Sequence, residues 1–383
     1  MNSHVVDVPF VDLKRPYAEI ASDLEQEFRE IFSSMRLFLG PNVAAFEEEY
    51  ARYLNVAHCV GVADGTTALH LALRACGVGP GDEVITVSHT FFATVEAIQL
   101  VGATPVFVDV DASTYTIDVA AVERAITPRT RAIMPVHLYG LMADIDGIME
   151  VARRHNLRVI EDASQAHGAR RRGQAAGTIG DIGTFSFYYS KNLGAYGEAG
   201  GLTTNDDDLA CRLRVLRDHG SPRRYYHEVV GMNGRLDEVQ AAVLRLKLPR
   251  LDDANHRRRV NAGRYSDKLS RLPIGLPTLR GEDHVYHLYV VRTPSRDSMQ
   301  KYLDDRGVHT GIHYPIPCHL QPACSRFGGG PGSLPVTEKL AGEILSLPMF
   351  PDLTLEEIDY VVGTIEEFFG MSVPLSTSVD AAG

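Results

Sequence analysis

The chain has 383 residues, 44% of them hydrophobic, so it can bury a sizeable core, and its formal net charge of −11 with no long basic run argues against general nucleic-acid binding. No apolar run is long enough to span a bilayer and residues 1–12 lack the basic-then-apolar order of a signal peptide, so a cytoplasmic protein with no membrane partner is expected. Five cysteines (Cys59, Cys76, Cys211, Cys318, Cys324) without CxxC spacing indicate neither a disulfide framework nor a cysteine zinc site.

Residues 17–35 carry Ile20, Leu24, Phe28, Ile31 and Phe32 at helical spacing, which predicts one buried face, and residues 43–54, with Phe46, Tyr50 and Tyr53, predict a second packing helix. Residues 58–62 read as a short strand, followed by a glycine turn and a helix with Leu69, Ala72, Leu73 and Cys76 on one face. The amides of Gly65 and Thr66, with the Thr66 hydroxyl, then sit at a helix N-terminus, a position that favours phosphate. Read alone, the segment is equally a capped helix after a tight turn. It matches neither the GxGxxG fingerprint nor a P-loop.

From residue 83 the pattern alternates: strand 83–87, helix 91–101, strand 105–110, helix 119–126, strand 131–136, helix 145–155, strand 158–161. Repeated βα units predict an α/β fold with a mostly parallel sheet, helices on both faces and ligands beyond the carboxyl ends of the strands. Those ends carry Ser88-His89-Thr90-Phe91, Val136-His137-Leu138-Tyr139-Gly140 and Asp162-Ala163-Ser164-Gln165-Ala166-His167, each by itself an ordinary polar connection. A carboxylate such as Asp162 after a buried strand is costly unless it meets a cation.

Residues 184–189 are aromatic and β-branched, a strand preference, while Gly194, Gly197, Gly200 and Gly201 mark a loop, and Lys191 lies between them. An amine desolvated there has a lowered pKa, and its neutral form condenses with carbonyls. On this segment alone a solvated loop lysine fits as well. Combined, an acid for a ring nitrogen, a lysine for an aldehyde and a helix N-terminus for a phosphate are the parts that hold pyridoxal phosphate (PLP). Phe91 then suits the ring face, Gln165 the phenolic oxygen and Ser186 the phosphate.

After a helix over 206–216, the stretch 220–228 mixes arginine with aromatics. Arg224 and Tyr225 suit a nucleotide diphosphate, a solvated loop being the alternative. Asn233-Gly234-Arg235-Leu236 reads as the start of a helix ending near Leu248, and the runs 170–172 and 257–259, all arginine, read as surface. Beyond 251 come a long helix, a strand over 285–292, a helix over 297–306 and an extended segment over 308–320. Its nearby prolines and the lack of a third ligand argue against a metal site at His313, Cys318 and His319. Thr354 to Glu357 makes a capping box before a last amphipathic helix closed by Gly370. The predicted domains are a large one over 1–250, a smaller α+β one over 251–370, and a disordered tail over 371–383.

Taken in order, Gly65-Thr66, Ser88-His89-Thr90-Phe91, Glu161-Asp162-Ala163-Ser164-Gln165-Ala166, the segment from Ser186 through Lys191 to Asn192, and Gly231-Met232-Asn233-Gly234-Arg235-Leu236 resemble the PLP-dependent nucleotide-sugar aminotransferases of DegT/StrS type. The likeness runs from Val8 to Tyr360. It implies an aspartate-aminotransferase-like fold (type I) and a lysine, here Lys191, that holds the cofactor and shuttles the proton. Dehydratase relatives carry histidine at that position, so Lys191 favours amino transfer. The resemblance also implies a homodimer with shared active sites, Asn233 and Arg235 reaching the partner's phosphate region, and Tyr188, His313 and Tyr314 lying near the sugar. Glutamate is the expected donor. A dTDP-3-keto-6-deoxyhexose aminated at C3 is the expected acceptor, in deoxyamino-sugar biosynthesis. The alternatives are 4-keto sugars, cyclitols or other cyclic ketones, a PLP-dependent sugar dehydratase, and a silent regulatory homologue. Two departures from the family pattern bear on the substrate: Tyr189-Ser190 stands where proline-glycine is usual, and Thr67 where aspartate often follows Gly-Thr.

Overall fold

The computed structural model describes residues 7–370, so the tail predicted over 371–383 lies outside the described residues. The chain runs helix α1 (Lys14–Ser34), α2 (Pro41–Leu54), strand β1 (His58–Val62), α3 (Gly65–Ala75), β2 (Glu83–Val87), α4 (Ala93–Leu100), β3 (Thr104–Val108), α5 (Val119–Ala125) and β4 (Thr130–Met134). It continues through α6 (Ile145–His155), β5 (Arg158–Asp162), the short pair β6 (Arg170–Arg171) and β7 (Gln174–Ala175), β8 (Ile182–Ser186), β9 (Gly200–Thr204), α7 (Asp207–Arg217), α8 (Glu238–Lys247) and α9 (Leu251–Leu269). Last come β10 (Tyr289–Arg292), α10 (Arg296–Asp304), α11 (Pro335–Glu343), β11 (Ile344–Leu347) and α12 (Leu355–Phe368).

Seven strands form one mixed sheet in the order β1-β9-β8-β5-β4-β2-β3. Strands β8, β5, β4, β2 and β3 are parallel, whereas β9 runs antiparallel to both β1 and β8. Alternate side chains of these strands enter two buried clusters, as a period of two requires. Cys59, Ile85, Ile133, Val159 and Phe185 meet Phe46, Val122, Ile148 and Leu244 in one. Val60, Val84, Ala132, Ile160 and Ile182 meet Leu69, Ala97 and Leu209 in the other. A sheet covered on both faces is what the βα alternation predicts.

A further cluster gathers Tyr265, Tyr289, Met299, Leu303, Phe350, Ile358 and Ile365, and Val8 joins it through a parallel bridge to Val308. The capping box is present: Thr354 Oγ1 accepts from the Glu357 amide at 3.2 Å and the Glu357 carboxylate from the Thr354 amide at 2.7 Å. Helix α2 begins at Pro41 after Gly40, and the buried Glu238 carboxylate accepts from the Asn42 and Val43 amides, both at 2.9 Å, satisfying donors a helix start otherwise strands.

Four expectations need correction. The helix expected to open at Asn233 begins at Glu238, because 233–236 is extended, with Arg235 bridging Val62 and Leu236 buried beside Gly61. The strand before Lys191 ends at Ser186, after which the chain turns, the Lys191 amide donating to the Tyr188 carbonyl at 2.8 Å. Phe32, expected on the buried face of α1, is exposed. Arg258 is buried and donates to the carbonyls of Tyr286 and Met349 at 3.1 and 3.0 Å, so it tethers α9 where a surface side chain was expected.

Candidate active site

The carboxyl ends of β5 and β8 set Asp162 and the Lys191 turn beside each other. Asp162 is buried, and its carboxylate accepts from Thr94 Oγ1 at 2.9 Å and from the Ser164 amide at 3.2 Å. Thr94 in turn meets the Thr90 hydroxyl at 2.8 Å. Thr94, in the first turn of α4, and the Ser164 amide, just after β5, together orient the acid. Burial pushes the Lys191 amine down to about 8, and the nearby Asp162 carboxylate pulls it partly back. The result is an amine that still carries a proton at neutral pH but gives it up far more readily than an ordinary lysine.

Gln165, also buried, accepts from the Tyr139 amide at 2.6 Å and faces the Tyr314 hydroxyl at 3.3 Å. Tyr139 has φ +60, a left-handed backbone that a bulky residue holds only when its surroundings fix it. Here its hydroxyl meets His89 Nε2 at 2.8 Å and donates to the His313 carbonyl. Phe91 is 57% exposed, with its ring 5.7 Å from that of Tyr314, the residue whose hydroxyl meets Gln165. His313 stacks on Phe10 and shares Nδ1 with Ser346 Oγ at 2.9 Å. Burial and then Lys191 push it down to about 4, so it stays a neutral imidazole.

Helix α3 starts at Gly65, with Asp64 as its cap accepting from the Thr67 amide at 2.7 Å. A β-carbon on Gly65 would lie 2.6 Å from Ser186 Cβ, so only glycine lets the helix N-terminus reach the end of β8. Gly65, Thr66 and Ser186 thereby make a cradle at a helix start. Gly65→Ala is expected to push Ser186 aside and weaken PLP binding at least about tenfold while leaving the fold intact; a PLP titration followed by absorbance reads it, and unchanged affinity would refute the cradle.

These residues fit PLP: a buried, oriented carboxylate, an amine depressed to about 8, and a helix N-terminus set against Ser186 on one rim of the sheet. The structure thus gathers Gly65, Thr66, Phe91, Asp162, Gln165, Ser186, Lys191, His313 and Tyr314 at the strand ends. It does not bring Arg224, Tyr225, Asn233 or Arg235 to them within one chain, whereas the Tyr188 backbone bonds both Ser186 and Lys191. Arg224 and Tyr225 pair with each other at 2.9 Å on an exposed loop, Tyr225 being 82% exposed. Asn233 is exposed, and Arg235 bonds Asp218 at 3.3 Å and lies 4.2 Å over the Phe38 ring. Tyr188 is half-buried against Tyr189, their rings 4.1 Å apart.

Sequence reasoning gave no role to Thr94, and it quoted Tyr139 only as part of the strand-end stretch 136–140. Thr90 and Thr94, one helical turn apart on either side of Phe91, are the readable trace of the Thr94 contact.

The DegT/DnrJ/EryC1/StrS aminotransferase family matches residues 18–366. Over 368 residues the chain is 47% identical to a pleiotropic regulatory protein of Geobacillus stearothermophilus, covering 95% of this chain and 99% of the relative. Over 363 residues it is 48% identical to the dTDP-3-amino-3,4,6-trideoxy-alpha-D-glucose transaminase of Streptomyces venezuelae, covering 94% and 96%. Among solved structures, DesV of S. venezuelae in complex with a ketimine intermediate superposes with a TM-score of 0.92 at 48% identity, covering 94% of this chain and 98% of that one.

Proposed function

The chain belongs to the DegT/DnrJ/EryC1/StrS aminotransferase family, and from that premise we propose that it moves an amino group from glutamate to C3 of a dTDP-linked 3-keto-6-deoxyhexose. At the coarser level it is a PLP-dependent sugar aminotransferase with a type I fold. The observation that carries the reading is the half-buried Lys191, its amine lowered to about 8, near the oriented Asp162 carboxylate.

When bound, PLP supplies an aldehyde carbon and an electron sink. Asp162, fixed by Thr94 and the Ser164 amide, would hold a protonated ring nitrogen, and Phe91 would cover the ring face. Gln165 would meet the phenolic oxygen, and the Gly65 and Thr66 amides with Ser186 would take the phosphate. Lys191 Nζ is the base: in its neutral form it would take the proton from the donor's Cα, hold it on Nζ and release it in the second transfer, with the order reversed for the acceptor sugar. His313 and Tyr314 would border the sugar as neutral groups, leaving Asp162 as the charged partner.

The exposed Arg224, Tyr225 and Asn233 support a homodimer in which these residues, with Arg235, serve the partner's site, gripping the diphosphate and the phosphate region. No described helix is long and apolar enough to cross a membrane. The regulatory name of one relative favours a silent homologue, but the complete set Asp162, Gln165, Ser186 and Lys191 supports turnover.

The test loads the protein with PLP, adds glutamate, and then offers ketones with and without a nucleotide. Amination of the dTDP-3-keto sugar alone is expected, with KM raised about tenfold in Arg224→Ala for loss of a charge-assisted contact. Equal turnover of a free cyclitol ketone would overturn the nucleotide requirement.

A further inference from the structure

Ser88, His319 and Glu338 stand in a line of hydrogen bonds just beyond the carboxyl end of β2. His319 Nδ1 meets Ser88 Oγ at 2.6 Å, and Nε2 of the same ring meets a carboxylate oxygen of Glu338, in α11, at 3.2 Å. That carboxylate also accepts from the amides of Gly332 and Leu334, at 2.8 and 3.1 Å, so it serves as an acceptor and the ring proton belongs on Nε2. Nδ1 is left to accept from the Ser88 hydroxyl, whose oxygen accepts in turn from the His319 amide at 2.9 Å. Serine, histidine and acid in this order look like a hydrolytic triad, but Ser88 and His319 are both buried and no substrate reaches the hydroxyl. What the line holds is backbone. The Cys318 amide donates to the Ser88 carbonyl at 3.0 Å, and the Cys318 thiol faces the Thr90 carbonyl at 3.5 Å. Thr94 gives its one hydroxyl proton to Asp162 at 2.9 Å, so Thr90 is the donor in the 2.8 Å contact between the two threonines. Hydrogen bonds and a short run of backbone thus join Glu338 to Asp162.

We propose that His319 is a positioning residue for the cofactor: by clamping Ser88 it sets Thr90 and Thr94, and through them aims the Asp162 carboxylate at the ring nitrogen of PLP. The proposal rests on the reading of Asp162 as the partner of that nitrogen. No proton moves along the line, and its effect is geometric. Without an acceptor at Nδ1 the Ser88 hydroxyl is buried and unpaired, a cost that the stretch 88–90 relieves only by shifting.

Two cofactors separate the aim of Asp162 from general packing: PLP itself, and the PLP analogue with a C–H in place of the ring nitrogen, which gives the carboxylate nothing to hold. Each is titrated into the full-length chain and its binding followed by absorbance. The wild type is expected to bind PLP at least about tenfold more tightly than the analogue. In His319→Leu the affinity for PLP falls about tenfold while that for the analogue stays unchanged. His319→Asn keeps an acceptor at the δ position and stays with the wild type. His319→Gln, which reaches only toward Glu338, follows His319→Leu and gives the same reading should His319→Leu not fold. Affinities for both cofactors falling together in His319→Leu and His319→Gln, or neither moving, would overturn the assignment, as would a loss in His319→Asn equal to theirs. Equal binding of the two cofactors by the wild type would instead refute Asp162 as the partner of the ring nitrogen, and the proposal with it.

Discussion

Lys191→Ala is expected to abolish transamination, lowering kcat by on the order of 10⁴-fold or more, because one group both holds the cofactor and moves the proton. Stopped-flow absorbance with added PLP, before and after glutamate, measures it. The wild type should show the visible band of lysine-bound PLP and lose it with glutamate, and the variant should show neither change. Reactivity of the wild-type amine should rise as pH passes about 8, since burial lowers Lys191 from the ordinary lysine range and Asp162 only partly restores it. The rival amine is Lys247, which burial also brings to about 8. That side chain is engaged, donating to the Gly194 carbonyl and lying 5.0 Å over the Tyr196 ring. Turnover in Lys191→Ala within about tenfold of wild type would nonetheless move the chemistry there.

Glu161→Ala should destabilise the fold by about 3–5 kcal/mol, the cost of removing one partner of a buried polar cluster. Glu161 is wholly buried and accepts from His137 Nε2 at 2.9 Å and from the amides of Gly177, Ile179 and Gly180 at 3.0, 2.7 and 2.7 Å. His137 Nδ1 accepts from the Ala143 amide at 3.0 Å, which leaves Nε2 as the donor to Glu161. Burial raises the Glu161 carboxyl, but the His137 hydrogen bond and the amides outweigh it and hold the pKa below the ordinary value. A carboxylate depressed in the folded state stabilises above its unfolded pKa, and that contribution is lost as pH falls through the folded pKa. Thermal melting should therefore show wild type and Glu161→Ala far apart at neutral pH and converging in acid. A constant difference across that range would mean that Glu161 acts through packing alone. Since Asp162 follows directly in β5, the variant should also loosen PLP binding.

The legible part of this protein was local. Alternation of apolar runs and helical faces announced the parallel sheet, because strands buried on both faces and amphipathic helices leave periodic traces in a chain. Thr354 and Glu357 announced a capping box, and Lys191, set between an aromatic run and a glycine-dense loop, stood out as the candidate amine. Boundaries were less legible. Asn233 and its neighbours look like a helix start, yet pairing with Val62 and burial of Leu236 draw them out as extended chain. Arg258 reads as one of three surface arginines, but α9 turns it toward carbonyls more than twenty residues away in sequence.

The amino-acid sequence by itself determined which chemistry was available: an amine, an acid, an amide side chain and a helix start, at the ends of predictable strands. Tertiary structure alone decided their state. The depression of Lys191 to about 8, the orientation of Asp162 by Thr94 and the contact of Gly65 with Ser186 all depend on desolvation and on groups far apart in the chain. Neither desolvation nor long-range approach has a signature in residue spacing, because both arise only when the sheet closes and excludes water.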